Sequence, residues 1–124
     1  MKKRSCERFN IPGTTLYYRS KPSFFVRRKY SSTYYPVIDF SRGGAKFLCD
    51  ERLKAGSAII VKFNIPGIDE EPELKASVRW ISKNPEKSYK YQTGIAFNSY
   101  GSKKDDNPQA VLSLIKKIEF EISK

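Results

Sequence analysis

The chain has 124 residues, and its 24 basic and 13 acidic side chains give a net charge of +11. This length fits one domain with its own core, and 39% hydrophobic with 14% aromatic residues exclude a disordered chain. No apolar run approaches the roughly 18 residues that cross a bilayer, and no apolar segment follows the basic start. We therefore expect one cytoplasmic domain over residues 1–124, with a surface that favours anionic ligands.

The sequence contains no histidine and only two cysteines, Cys6 and Cys49. Common zinc sites need four ligands drawn mainly from Cys and His, so we expect no metal site. Serine and cysteine nucleophiles would both lack their usual histidine base, so we expect no catalytic residues. In a cytosolic chain both thiols should be reduced, although Cys6 lies between two arginines, whose charge lowers a thiol pKa and favours oxidation.

Short runs rich in β-branched and aromatic residues predict strands, separated by turns that contain Pro, Gly, Asn or Ser. The predicted strands are residues 13–19, 24–30, 34–40, 45–49, 57–65, 74–81 and 89–97. Pro36 indicates an edge position or a bulge, and Gly94 indicates a bulge or close packing. Alternation along the sixth run places Trp80 on the same face as Val78 and predicts that its indole packs in the core.

After the last predicted strand, the hydrophobic period changes to that of a helix. Asn107 and Pro108 match an N-cap followed by proline at the first helical position, and Val111, Ile115 and Ile118 recur at helical spacing. The pattern predicts an amphipathic helix over residues 107–122. Six or seven short strands followed by one helix favour an antiparallel barrel or sandwich, with the helix covering an open end.

Two motifs carry the chemistry of the chain. The first is R-x-x-x-R, formed by Arg4 and Arg8, and the second is D-x-S-x-x-G, formed by Asp39, Ser41 and Gly44. Guanidinium groups bind phosphate with two hydrogen bonds and also stack on purines or bond guanine edges. A turn with acidic, hydroxyl and glycine residues offers acceptors and bare backbone. Together the motifs suit a guanine nucleotide that carries phosphodiester charges.

The two motifs, in this order, resemble those of the PilZ domain family. The resemblance continues through the Phe9-x-Ile11-Pro12 tail, the SVRWI and YQTGIAF runs and the C-terminal helix, so it covers essentially the whole chain. It implies a small antiparallel six-stranded β-barrel over residues 13–99, preceded by a mobile arginine-bearing segment over residues 1–12. It also implies a receptor for cyclic di-GMP rather than an enzyme, with no further cofactor.

The resemblance assigns roles to individual residues. Arg4 and Arg8 would hold the phosphates and guanine faces of the ligand, and Asp39 and Ser41 would contact a guanine base. Gly43 and Gly44 would keep the turn open to the ligand. Two neighbouring cations are further candidates for the ligand, namely Lys3 and Arg42.

Ordering of the N-terminal segment on binding would then signal to a partner protein in motility, biofilm or secretion machinery. Three alternatives stay open. In the first, Asp39 and Ser41 only cap a turn through local hydrogen bonds to the backbone. In the second, the basic barrel binds single-stranded nucleic acid by stacking bases on Tyr17, Tyr34 and Tyr35; we regard this as the weaker reading. In the third, the domain is an adaptor that works without a ligand.

Overall fold

A computed structural model describes residues 8–20, 33–85 and 88–122 of the chain. This part of the chain contains six strands and one helix, joined by turns and loops. They are β1 (Thr15–Ser20), β2 (Tyr35–Phe40), β3 (Gly44–Cys49), β4 (Ala58–Asn64), β5 (Glu73–Lys83), β6 (Tyr91–Phe97) and α1 (Gln109–Ile122).

The six strands form a closed antiparallel barrel in the order β1-β2-β3-β6-β5-β4. The predicted six-stranded barrel with a C-terminal helix is therefore confirmed. Five of the predicted strands lie within a few residues of their observed bounds, and β5 is longer than predicted. The run predicted at residues 24–30 lies outside the described residues, and the barrel closes without it because β1 pairs directly with β2.

Alternation along the strands fills the barrel interior. Leu16 and Tyr18 from β1 point into the same core as Ile59, Val61 and Phe63 from β4, and all five are buried. At about 25 cal/mol per Å² of apolar surface removed from water, each such side chain contributes roughly 1.5–3 kcal/mol to folding. The interior is thus packed with side chains, which leaves the outer surface for binding.

Two β-bulges interrupt this alternation. Between β2 and β3 the register shifts after Val37, so that Asp39 pairs with Lys46. Between β5 and β6 it shifts after Val78, so that Trp80 pairs with Gly94. A bulge adds one residue on one strand and redirects the side chains that follow it. Asp39 and Trp80 consequently lie on the outside of the barrel, and the prediction that Trp80 packs in the core is wrong.

Helix α1 packs Ile115 and Ile118 into the core cluster. Its first half borders the loop between β4 and β5, and its second half is tied to the β2–β3 turn by an Arg42–Glu119 ion pair of 3.3 Å. The helix therefore lies at the end of the barrel that carries this turn, as the amphipathic pattern predicts.

The helix begins at Gln109, two residues later than predicted, and the side chain of Asn107 bonds to β5 and to the chain before the helix. Its side-chain oxygen accepts from the backbone N–H of Lys75, and its amide donates to the carbonyls of Lys75 and Asn98. The side chain is 1% exposed. The interpretation of Asn107 as a helix cap is therefore wrong: it extends the backbone bonding of β5 and anchors the approach to α1.

Candidate functional site

The carboxylate of Asp39 marks the centre of the candidate site. Asp39 is the second-last residue of β2. The bulge at Ile38 directs its side chain outward, whereas the next side chain, Phe40, points into the core. The Asp39 side chain is 22% exposed, so part of the carboxylate faces solvent. The strand therefore presents an acceptor group on the outer barrel wall, close to the β2–β3 turn.

The residues just before the barrel bring Arg8 to this carboxylate. Phe9 and Phe40 exchange two backbone hydrogen bonds of 2.9 and 3.0 Å, and their rings lie 4.3 Å apart in an edge-on arrangement. The amide of Asn10 donates to the carbonyl of Ile38. Arg8 is thereby held beside Asp39, and its Nη1 donates to Asp39 Oδ1 at 2.8 Å. The two sequence motifs, 31 residues apart at this point, meet in space.

The turn that follows β2 uses its own polar groups to hold its shape. The N–H of Ser41 donates to the carbonyl of Gly44 at 2.8 Å, and the N–H of Gly43 donates to Ser41 Oγ at 3.0 Å. Ser41 is buried. The local capping that was one of the open alternatives is therefore present for Ser41. Asp39 instead accepts a hydrogen bond from Arg8 and forms a longer ion pair of 3.8 Å with Lys46.

The two glycines of this turn differ in their surroundings. Gly44 is buried, and a Cβ at this position would overlap the carbonyl oxygen of Ile95 on β6. The close pairing of β3 with β6 therefore requires glycine here. Gly43 is exposed, and its carbonyl accepts from the N–H of Phe97 at 2.9 Å. Of the two glycines, only Gly43 lines the groove described next.

A groove of about 470 Å³ runs along the outer wall from Arg8 and Asp39 to Trp80. Small-molecule sites typically measure roughly 300–1,000 Å³. The groove is lined by residues from the N-terminal segment, the turn and four strands, namely Arg8, Asp39, Gly43, Ala45, Lys46, Arg79, Trp80, Gly94, Ile95 and Ala96. Three of these side chains are cations and one is an anion, so the lining is net positive and suits an anionic ligand.

Three lining residues were not predicted from the sequence, namely Lys46, Arg79 and Trp80. Register places Asp39, Lys46, Gly94 and Trp80 in one row across four strands. Trp80 is 42% exposed, and its indole lies over Gly94, where a side chain would collide with it. The sequence did offer one signal, because Gly94 within a predicted strand indicates close packing. The alternating pattern of the strand cannot reveal the bulge that turns Trp80 outward.

The remaining predicted site residues lie elsewhere. The guanidinium of Arg42 points away from the groove to Glu119 on α1, and the Arg42 carbonyl accepts from the hydroxyl of Tyr100 at 2.7 Å. Arg4 and Lys3 lie outside the described residues. The structure thus brings Arg8, Asp39 and Gly43 together at one groove, with Ser41 and Gly44 forming the turn beside it.

The tyrosines considered for base stacking do not form one surface. Tyr17 and Tyr34 contact each other edge-on at 5.7 Å. Tyr35 instead packs against Tyr18 and Tyr89. The three rings therefore do not present successive parallel faces, as a strand of stacked bases would require.

Other reactive groups are remote from the groove or buried. Burial raises the pKa of the Cys49 thiol, which donates to the carbonyl of Glu51 at 3.1 Å. Cys6 lies outside the described residues. Among residues 8–20, 33–85 and 88–122, no group of three or more acidic or cysteine side chains is arranged to hold a metal ion. In the same part of the chain, no helix has the length and apolar character needed to cross a membrane.

The chain forms a small six-stranded β-barrel domain with a groove on its outer wall beside the β2–β3 turn. The model of the PilZ domain family matches residues 2–112. The chain therefore belongs to the PilZ domain family. No curated protein matches it.

Several solved structures share this fold. The motility inhibitor MotI/DgrA of Bacillus subtilis superposes with a TM-score of 0.58 at 18% identity, covering 98% of this chain and 53% of that one. K. pneumonia MrkH in complex with c-di-GMP superposes with a TM-score of 0.66 at 14% identity, covering 98% of this chain and 53% of that one. The PilZ domain of Escherichia coli YcgR with c-di-GMP superposes with a TM-score of 0.58 at 16% identity, covering 98% of this chain and 95% of that one. The chain spans about half the length of MotI and MrkH.

Proposed function

We propose that this domain is a receptor for cyclic di-GMP and binds it in the groove between Arg8 and Trp80. The observation that carries the proposal is the meeting of the two motifs: Arg8 Nη1 lies 2.8 Å from Asp39 Oδ1 at one side of a basic groove. The complexes of YcgR and MrkH with c-di-GMP, which share this fold, support the choice of ligand.

The groove offers a matching group for each part of a cyclic guanine dinucleotide. Arg8 provides donors for a phosphate or for guanine O6 and N7. The Asp39 carboxylate accepts from the N–H groups of a guanine edge. The indole of Trp80, exposed over Gly94, provides an aromatic surface for a base. Lys46 and Arg79 add positive charge along the same wall.

We further propose that Arg4 joins Arg8 in gripping the ligand, and that ordering of the segment before Arg8 signals to a partner protein. The attachment of residues 8–10 to β2 supports this mechanism because it provides a stem from which the preceding residues can fold over a bound ligand. Motility or biofilm machinery is the kind of partner that the family implies.

Isothermal titration with cyclic di-GMP tests the receptor proposal and also gives the number of ligands bound. The wild-type domain should bind, and Arg8→Ala should weaken binding at least tenfold, since a hydrogen bond to a charged group contributes about 1.5–3 kcal/mol. Arg52→Ala is the matched control, because Arg52 is an exposed arginine of a separate groove. Cyclic di-AMP, which has the same phosphates without the guanine edge, should bind more weakly.

Two results would overturn the proposal. A folded wild-type domain that gives no heat with cyclic di-GMP at high protein concentration is not a receptor for it. Equal affinities of wild type and Arg8→Ala would place the ligand elsewhere on the barrel.

A further inference from the structure

The carboxylate of Asp39 has two cationic neighbours that are attached to different parts of the molecule. Arg8 Nη1 donates to Oδ1 at 2.8 Å, and Lys46 Nζ lies 3.8 Å from Oδ2. Arg8 belongs to the segment before the barrel. Lys46 lies on β3, where register pairs it directly with Asp39. One cation is therefore carried by the barrel wall and the other by a segment outside it.

The proposed function creates a conflict for Asp39 and Arg8. A guanine edge carries two neighbouring N–H donors, which match both oxygens of a carboxylate. In the described structure Oδ1 already accepts from Arg8. A guanine edge that bonds both oxygens competes with Arg8 for this carboxylate, and a ligand phosphate competes with Asp39 for the guanidinium. Where Arg8 turns to the phosphate, its bond to Asp39 is exchanged for a bond to the ligand.

That exchange would leave the Asp39 carboxylate without its hydrogen-bonded cation while the ligand covers it. Removing a partner from a partly buried charge is costly, because the remaining charge keeps its desolvation without compensation. Lys46 meets this need from its place on the barrel. Its ammonium stays near Oδ2 without a direct hydrogen bond, so it leaves both carboxylate oxygens able to accept from a base.

We propose that Lys46 is a positioning residue that holds the Asp39 carboxylate aligned for guanine when Arg8 turns from Asp39 to the ligand. This inference rests on the proposed function. Although Lys46 lines the groove, the inference assigns it no hydrogen bond to the ligand, so its effect on affinity must pass through Asp39.

The test is a double-mutant cycle measured by titration with cyclic di-GMP. Lys46→Gln should weaken binding about tenfold, and Lys46→Arg should restore it to within about threefold, because a cation is all that the role requires. Lys116→Gln, which removes the same charge from the exposed face of α1, is the matched control and should bind as wild type. Lys46 is 33% exposed, so Lys46→Gln should fold, which circular dichroism checks.

The second half of the cycle separates positioning from direct contact. In an Asp39→Asn background, which keeps one acceptor oxygen, Lys46→Gln should change affinity less than twofold. If that background binds too weakly for titration, the ligand-induced rise in melting temperature at millimolar ligand gives the same comparison. A tenfold loss that persists in this background would mean that Lys46 touches the ligand and would overturn the inference.

An unchanged affinity of Lys46→Gln in the wild-type background would also overturn it. Either result leaves the receptor proposal intact if the wild-type domain binds. Failure of the wild-type domain to bind would instead count against the proposed function itself.

Discussion

Replacement of Gly94 by alanine should destabilise the domain by displacing the indole of Trp80. A Cβ at position 94 would lie within 2.7 Å of three indole atoms, whereas carbon atoms in contact normally lie about 3.5–4.0 Å apart. The ring must therefore move outward by about 1 Å. The clash is with a side chain, so the indole and not the backbone should give way.

The size of the effect follows from how much of the indole is buried. Trp80 is 42% exposed, so a side chain of about 250 Å² keeps about 145 Å² from water. Full exposure would cost about 3.5 kcal/mol at 25 cal/mol per Å². Because the ring only shifts, we expect Gly94→Ala to cost about 1–3 kcal/mol. Urea unfolding measures this, and emission from the single tryptophan should move to longer wavelength.

The Trp80→Ala variant tests whether the indole is the cause of this loss. In Trp80→Ala the indole is absent, so Gly94→Ala should then change the unfolding free energy by less than about 0.5 kcal/mol. If Gly94→Ala costs the same in both backgrounds, the glycine is required for another reason and the explanation is wrong. The same pair of variants should weaken cyclic di-GMP binding if the indole forms part of the ligand surface.

Three further predictions concern stability. Asn107→Asp replaces an amide donor that bonds two backbone carbonyls with a carboxylate, so urea unfolding should show a loss of about 2–4 kcal/mol; a loss below 0.5 kcal/mol would contradict the role in anchoring β5. Gly44→Ala should cost more than about 3 kcal/mol, because the clash is with the backbone oxygen of Ile95; unchanged unfolding would refute this. Burial and the hydrogen bond to Glu51 raise the pKa of Tyr18. Because the Tyr18 hydroxyl then ionises only in the unfolded chain, the free energy of unfolding should fall above about pH 10, by up to about 1.4 kcal/mol per pH unit. Tyr18→Phe should reduce that slope, and an identical slope would exclude Tyr18 as its source.

Much of the fold was accessible from local pattern. Alternation and turn residues predicted the six strands that close the barrel, and helical spacing predicted α1, since each pattern reports on burial of one face. The bulge at Arg79 could not be predicted from the sequence. The residues still alternate between apolar and polar there, but the added residue changes which face of the sheet the following side chains occupy. Asn107 was misjudged for a similar reason: its distant partner on β5 outcompetes the local cap.

The candidate site shows the same division. The motif spacing indicated that Arg8 and Asp39 act together, and the structure places them in contact. The sequence did not indicate Lys46, because its importance depends on cross-strand register with Asp39. It also did not indicate that Arg42, inside the motif, turns to α1. Residues brought together by sheet register and helix docking carry no mark in their own local sequence.

The central claim is that cyclic di-GMP occupies the groove between the two motifs. Backbone amide chemical shifts, recorded by NMR during titration with the dinucleotide, test it most directly. We expect the chemical shift changes to concentrate on residues 8–10, 39–46 and 94–96 and on the side-chain N–H of Trp80. Changes confined to the opposite end of the barrel, around Cys49 and Tyr89, would contradict binding in this groove.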